Sequence, residues 1–486
     1  MPLTAIFLLL GLVSSANSTF TLRSPNPMRF MKEPPKLVNS YVYETRYIDV
    51  LLDHFSFADS RTFKLKYLIS TEFHEPHGPV LFYTGNEGSI ETFAENTGFM
   101  WENAEELKAA LVFAEHRFYG SSLPFGNETF KDVEHFGYMT AEQALADFAS
   151  LIEYLQLTNE NFTNAPVIAL GGSYGGILAA WFRNKYPNLV AGAIAASAPV
   201  WMFPNMSSCG DFNRIVTDTF VKSGSEECRQ YIATVWNSIQ EVSKGPAGLQ
   251  FLYRTFTLCK PLVTVQPLID YLVDFVGLLA MVDYPYEASF VGEFPAEPVK
   301  YFCRNLNALS SADQPVDVVL RTASAVRSVT NYTKQQKCIM IDDDLPGLDV
   351  KAWDIQTCME MTIPMCATGV QDMFPPMDWD AEVFSEACFK KYGVRPRMSW
   401  SDQQFWGKRL QTASKIVFSN GDLDPWSGFG VQRQEDVPQC HVIRIPNGAH
   451  HLDLRASNPL DPADVIDARK QELDFIKTWI REWKAT

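Results

Sequence analysis

The sequence predicts an α/β protein, a parallel sheet with helices on both faces, interrupted by one large cysteine-bearing insertion. Three observations carry this expectation. Short apolar runs of strand length alternate with stretches of helical periodicity on both sides of the chain's middle. A serine flanked by glycines falls where one of these strands passes into a helix. Of the 9 cysteines, all but Cys440 crowd between Cys209 and Cys388.

The elements follow in chain order. Ile6 to Val13 is an apolar run too short to span a bilayer, with Ser14, Ser15 and Ala16 after it, so residues 1–16 are expected to be a signal peptide. Asn17, Asn127, Asn161, Asn205 and Asn331 each open an N-x-[ST] glycosylation sequon, and with the leader they point to the secretory pathway. Val80 to Tyr83 reads as a buried strand running into the loop Gly85-Asn86-Glu87-Gly88, and Leu111 to Ala114 as another strand. Thr140 and Gln143 make a capping-box pattern ahead of a helix carrying Leu145, Phe148, Ile152 and Leu155. Pro166 to Leu170 is a strand, Gly176 to Tyr186 a helix stopped by Pro187, and Val190 to Ala196 a strand again. After the insertion, Lys415 to Phe418 and His441 to Ile445 resume the strand pattern. A last helix sets Ile466, Leu473, Ile476, Ile480 and Trp483 on one face. The character of the chain changes near 205 and 395, so residues 17–204 and 396–486 are expected to build one body and residues 205–395 a cap on it.

Composition excludes several functions. With 46% hydrophobic, 20% charged and 13% aromatic residues, the 486-residue chain is neither disordered nor too small for a large core. Lys+Arg 41 against Asp+Glu 57 gives a net charge of -16 without a basic run, which argues against nucleic acid as a partner. The only long apolar stretch is the leader, so no membrane span is expected. There is no C-x-x-C and no H-E-x-x-H; His74-Glu75-Pro76-His77 has the wrong spacing and a proline where a helix is needed, so neither metal nor cofactor is expected. In a secreted chain, Cys209, Cys228, Cys259, Cys303, Cys338, Cys358, Cys366 and Cys388 read as four disulfides with Cys440 left over. Spacing alone leaves roughly 105 connectivities open.

The chemistry sits at strand ends. Gly171-Gly172-Ser173-Tyr174-Gly175 fits G-x-S-x-G between a strand and a helix, where a sharp turn lifts the serine hydroxyl above the sheet. The Tyr174 N–H then points where an oxyanion would form, at a helix N-terminus. A serine nucleophile needs a base, and the base an orienting acid. The strand ending at Phe418 is followed by Asp422 and Asp424, and the strand ending at Ile445 by His450 and His451, in the order Ser, Asp, His that this strand–turn–helix arrangement requires. The residues leave both pairs in competition. His54, His74, His77, His116 and His135 precede the serine and read as surface or structural residues.

GGSYGG at 171–176, EHRFYGSS at 115–122, FSNGDLDPWSG at 418–428 and GAHHLDLR at 448–455 resemble the S28 serine peptidases, and the likeness runs from about residue 45 to the C-terminus, with MVDYPY at 281–286. The resemblance implies an α/β-hydrolase fold with a helical, disulfide-bearing cap (SKS-type), peptide substrates cleaved after a P1 proline, a lysosomal or extracellular location, an acidic working pH and a homodimer. Carried onto this chain it makes Ser173, Asp424 and His450 the triad. It pairs Cys209–Cys366, Cys228–Cys303, Cys259–Cys338 and Cys358–Cys388. Oxyanion donors are then expected from Tyr174 and from the Gly85-Asn86 loop, each worth on the order of a few kcal/mol. The proline slot is expected to be walled by Trp426, with Ile177 and Ile363 at positions that look like methionines in the family's carboxypeptidases.

The family holds enzymes working at opposite ends of a peptide. TIPMCATGVQDMF (362–374) and YGVRPRMSW (392–400) resemble the carboxypeptidases, whereas AWDIQTC (352–358) and RASNPLDP (455–462) resemble the dipeptidyl peptidases, which would set Asp354 against a substrate amine. The expectation is a Pro-X carboxypeptidase, with dipeptidyl peptidase II-like release of N-terminal X-Pro dipeptides as the alternative. An esterase of the same fold is a further alternative, opposed by the lack of an HGGG-type loop. A catalytically dead binding protein is opposed by the full set of triad residues.

Overall fold

The computed structural model describes residues 41–306, 313–341 and 348–485; the expected leader and the Asn17 sequon lie outside them. Eight strands form one sheet: β1 (Glu44–Leu51), β2 (Thr62–Ser70), β3 (Val80–Thr84), β4 (Ala110–Ala114), β5 (Val167–Gly172), β6 (Val190–Ala196), β7 (Ile416–Gly421) and β8 (His441–Ile445), in the spatial order β1-β2-β4-β3-β5-β6-β7-β8. From β4 onward every pairing is parallel. The strands β3 to β7 are buried along their whole length, which is why each is a continuous apolar run and not an alternating one.

The first two strands are antiparallel, β1 to β2 and β2 to β4, so the sheet is mixed and not wholly parallel as expected. The β1 strand lies at the sheet's edge with most of its residues exposed; its sequence ETRYIDVL is accordingly polar and gives little strand signal. The Thr140 hydroxyl caps the helix Ala141–Thr158 by accepting from the Gln143 N–H, as the capping pattern predicts.

The C-terminal helix, Ala463–Lys484, buries Val465, Ala468, Glu472, Ile476 and Trp479. Ile466, expected on the core face, is exposed. The core face is turned by about one residue, and Glu472, polar in the sequence, is fully buried on it beside Asp453. The helix approaches β6 so closely that a Cβ on Gly192 would lie 2.1 Å from the Trp479 ring, so only glycine fits there.

Between β6 and β7 the described chain forms helices and no strand of the sheet. Four disulfides cross-link this insertion: Cys209–Cys366, Cys228–Cys303, Cys259–Cys338 and Cys358–Cys388. Cys440 is free and buried, and burial pushes its thiol up to about 11, leaving it an inert apolar group. Asn127, Asn161 and Asn205 are exposed and Asn331 is half-buried. Among the described residues no helix is long and apolar enough to cross a membrane.

Candidate active site

The β5 strand ends at Gly172 and the helix Tyr174–Lys185 begins two residues later, so Ser173 must turn the chain alone. It does so at φ 58° and ψ −128°, a strained conformation for a residue with a Cβ. Its N–H donates to the Ala196 carbonyl (3.0 Å), and its side chain is partly exposed between buried neighbours. The turn needs bare backbone around it. A Cβ on Gly175 would stand 2.1 Å from Asn86 Oδ1, and one on Gly172 2.8 Å from the His451 ring.

Asp424 and His450, from the loops after β7 and β8, are both 0% exposed. The imidazole Nδ1–H donates to Asp424 Oδ2 (2.9 Å), while Asp424 Oδ1 accepts from the Trp426 N–H (3.0 Å). With Nδ1 carrying the proton, Nε2 presents a lone pair, and it has no hydrogen-bond partner. The backbone of His450 is clamped by the MVDYPY segment: its N–H donates to the Met281 carbonyl (3.0 Å) and its carbonyl accepts from the Tyr284 hydroxyl (2.9 Å).

The competing residues are occupied elsewhere. Asp422 takes Arg444 Nε at 2.6 Å in a surface turn. His451 meets Phe290 edge-on, with ring centroids 5.1 Å apart, and its N–H donates to Ser197 Oγ (2.8 Å). Burial holds its imidazole well below the usual histidine range, so it is neutral.

Around the elbow, Asn86 Nδ2 donates to the Gly172 carbonyl (2.8 Å) and its Oδ1 accepts from Tyr83 (2.9 Å). At Gly85 a Cβ would be 2.1 Å from the Ala114 carbonyl. Tyr174 is held through its phenol by a buried chain: His116 Nδ1–H donates to the Arg117 carbonyl (2.6 Å), so Nε2 accepts from Tyr174 (2.9 Å). Gln356 Nε2 donates to the same phenol oxygen (2.8 Å), and Tyr119 donates to Gln356 Oε1 (2.6 Å). Gln356 lies on the insertion helix Leu348–Met359, so the insertion braces the elbow directly. His116, expected to be a surface or structural residue, is buried as part of this brace.

Trp426, Ile177 and Ile363 are all buried in the extended hydrophobic core, and Trp426 meets Phe212 of the insertion edge-on at 5.0 Å. Asp354 is not open: Lys391 Nζ lies 2.5 Å from its Oδ2, which also accepts from the Tyr392 hydroxyl. The helix reaches the elbow instead through Gln356 and Trp353, whose ring lies 5.6 Å from that of Tyr174. A further buried carboxyl, Glu87, stands in the β3 loop and was not singled out from the sequence. The signal available was a charged residue between glycines at the carboxyl end of a buried strand.

A sheet of this order, with serine at a strained turn after β5, an acid after β7 and a histidine after β8, defines a serine hydrolase of the α/β-hydrolase fold. A family model described as Serine carboxypeptidase S28 matches residues 50–472. The chain belongs to that family of serine peptidases, whose substrates are peptides. It is 48% identical to the lysosomal Pro-X carboxypeptidase of Bos taurus over 446 residues, covering 91% of this chain and 89% of the relative. The human protein of the same name is 46% identical over 446 residues, with the same 91% and 89% coverage. Prolyl carboxy peptidase like protein 5 of Caenorhabditis elegans is 39% identical over 510 residues, covering 98% of both chains.

Proposed function

We propose that this protein is a proline-specific serine carboxypeptidase of the secretory and lysosomal route, removing the single residue that follows a penultimate proline. The observation that carries the reading is the buried Asp424–His450 pair, whose Nε2 is left without a partner, taken with the strained turn that sets Ser173 at the end of β5. In this mechanism His450 takes the Ser173 proton as the hydroxyl attacks the prolyl carbonyl, and Asp424 stabilises the imidazolium. The amides of Tyr174 and of the Gly85-Asn86 loop stabilise the tetrahedral oxyanion. His450 then protonates the leaving amine, and water releases the acyl-enzyme. Trp426, Ile177 and Ile363 form an apolar wall suited to a proline ring, which has no polar group to read.

The direction of attack is supported by Asp354. A dipeptidyl peptidase needs a carboxylate free to bind an amine, and this one is already neutralised by Lys391 and Tyr392. The names of the mammalian relatives agree with that direction. The exposed sequons at Asn127, Asn161 and Asn205 suit a glycosylated protein of the secretory route.

The test is a paired digestion at mildly acidic pH. One peptide has a penultimate proline and a blocked amine; the other has proline at position two, a free amine and an amidated end. Loss of one C-terminal residue from the first alone supports the reading. Release of an N-terminal dipeptide from the second alone overturns it in favour of a dipeptidyl peptidase. Cleavage of neither by enzyme that reacts with a serine-directed phosphonate sinks proline specificity.

A further inference from the structure

Glu87 follows Asn86 in the β3 loop, and Asn86 in turn supports the elbow through the Gly172 carbonyl. Its residue is 6% exposed and its Oε2 has no hydrogen-bond partner. The titratable groups that face it come from each surrounding element: His450 after β8, Tyr83 on β3, Tyr119 after β4 and Tyr174 at the elbow. No lysine or arginine is among them. Burial pushes its carboxyl up to about 7, against the smaller opposing effects of backbone bonding, His450 and Asn86, so at mildly acidic pH it is a neutral acid carrying a proton.

An unpartnered buried acid is costly to a fold unless something completes it. The carboxypeptidase reading, on which this inference rests, supplies the missing partner. The free carboxylate of the departing residue lies only about 2.5 Å from the leaving nitrogen, by N–Cα–C geometry. Whatever receives it must therefore stand in the immediate surroundings of the triad and the oxyanion loop. The Arg455 guanidinium lies over the rings of Tyr284 (4.7 Å) and Phe290 (5.5 Å), with Nη2 on Asn96 Oδ1 (3.0 Å) and Nη1 without a hydrogen-bond partner, so it is the rival receiver, a fixed cation that a pH profile tells apart from an acid.

We propose that Glu87, as a neutral acid, receives the substrate's C-terminal carboxylate by donating its proton in a hydrogen bond. Its ionisation converts that donor into a like charge facing the substrate, so the preference for a free C-terminus is lost with rising pH.

The experiment compares two N-blocked peptides with a penultimate proline, one ending in a free acid and one in a primary amide. Their kcat/KM ratio is followed from pH 4.5 to 8, with active molecules counted by phosphonate labelling. In the wild type the acid-to-amide ratio falls as pH rises through about 7. In Glu87→Gln, which keeps a donor but cannot ionise, the ratio stays flat over that range. In Glu87→Leu it drops by roughly 10- to 100-fold at acidic pH, the worth of a hydrogen bond to a charged group.

A wild-type ratio that does not vary with pH would indicate a fixed cation as the receiver and overturn the proposal, with carboxypeptidase activity itself still standing. Equal effects of Glu87→Gln on both substrates would assign Glu87 to the charge on His450 and overturn it as well. Failure of the wild type to cleave either peptide would overturn the carboxypeptidase reading and this inference with it.

Discussion

Asp424 uses its two oxygens for two tasks, Oδ2 for the His450 Nδ1–H and Oδ1 for the Trp426 N–H. In Asp424→Asn the amide oxygen is drawn to the Trp426 N–H, which has no other acceptor on this side chain. The amide NH2 then faces Nδ1 and forces the imidazole proton onto Nε2, where it blocks attack. We expect kcat to fall about ten-thousand-fold, the scale set by such substitutions in other triads, with KM changed far less; steady-state kinetics on a Pro-X peptide checks this. Asp354→Asn removes a half-exposed carboxylate already spoken for by Lys391, so carboxypeptidase kcat/KM is expected to stay within about twofold. A tenfold loss would restore Asp354 to the binding site. These residues differ in how well the sequence exposes them. Ser173 announces itself because glycines on both sides have a mechanical purpose. Asp424 and Asp422 look alike in sequence, since both follow the same strand, and only the burial of one and the Arg444 bond of the other separate them. Glu87 is hidden because its significance is an empty hydrogen-bond valence, which no spacing records.

At the scale of elements, the helix Leu348–Met359 matters most, since it carries Gln356 and Trp353 to the elbow. The Cys358–Cys388 bridge ties it to the helix Ala381–Tyr392, which supplies the Lys391 and Tyr392 partners of Asp354. Removing the bridge with paired serine substitutions releases a loop with a sequence separation of 30. The expected loss is about 3–4 kcal/mol of stability on the chain-entropy estimate, read as a lower midpoint in chemical denaturation. The buried strands β3 to β7 were legible because burial on both faces leaves an unbroken apolar run. The β1 strand was not, because an edge strand carries charge without penalty on its open side, and β2 was not, because its buried stretch includes Lys66, paired with Glu91 and Glu115. The C-terminal helix was legible as a helix but not in its rotation. Glu472 shares its burial with Asp453 and, through it, the Ser419 hydroxyl, an arrangement made by residues far apart in sequence.

The whole molecule carries buried acids whose neutral form burial favours. Burial raises Glu360 to about 8, Glu87 to about 7 and Asp283 to about 6, and holds Glu472 well above its usual range. Each binds its proton more tightly folded than unfolded. Its contribution to stability is therefore complete below the unfolded value and lost as pH rises through the folded one. His116, lowered to about 4, and His451, held well below the usual histidine range, run the other way and make stability rise with pH, but only below their unfolded value near 6.5. Above about pH 6.5 the acids act unopposed. The melting temperature is expected to fall steadily from pH 6.5 to 8, and more shallowly in Glu360→Gln, which keeps the acceptor for Ala141 N–H and Gln356 without a titrating proton. A melting temperature that rises across this window would contradict the account.

The four disulfides also divide the protein's labour. Every bridge begins and ends between Cys209 and Cys388, and the body that holds Ser173, Asp424 and His450 contains only the free Cys440. Covalent reinforcement is thus confined to the insertion, which reaches the triad through Gln356 at the elbow and through Met281 and Tyr284 at His450. A reducing compartment would therefore slacken the supports of the nucleophile and of the base together, so hydrolysis would fade while the sheet beneath it was still folded.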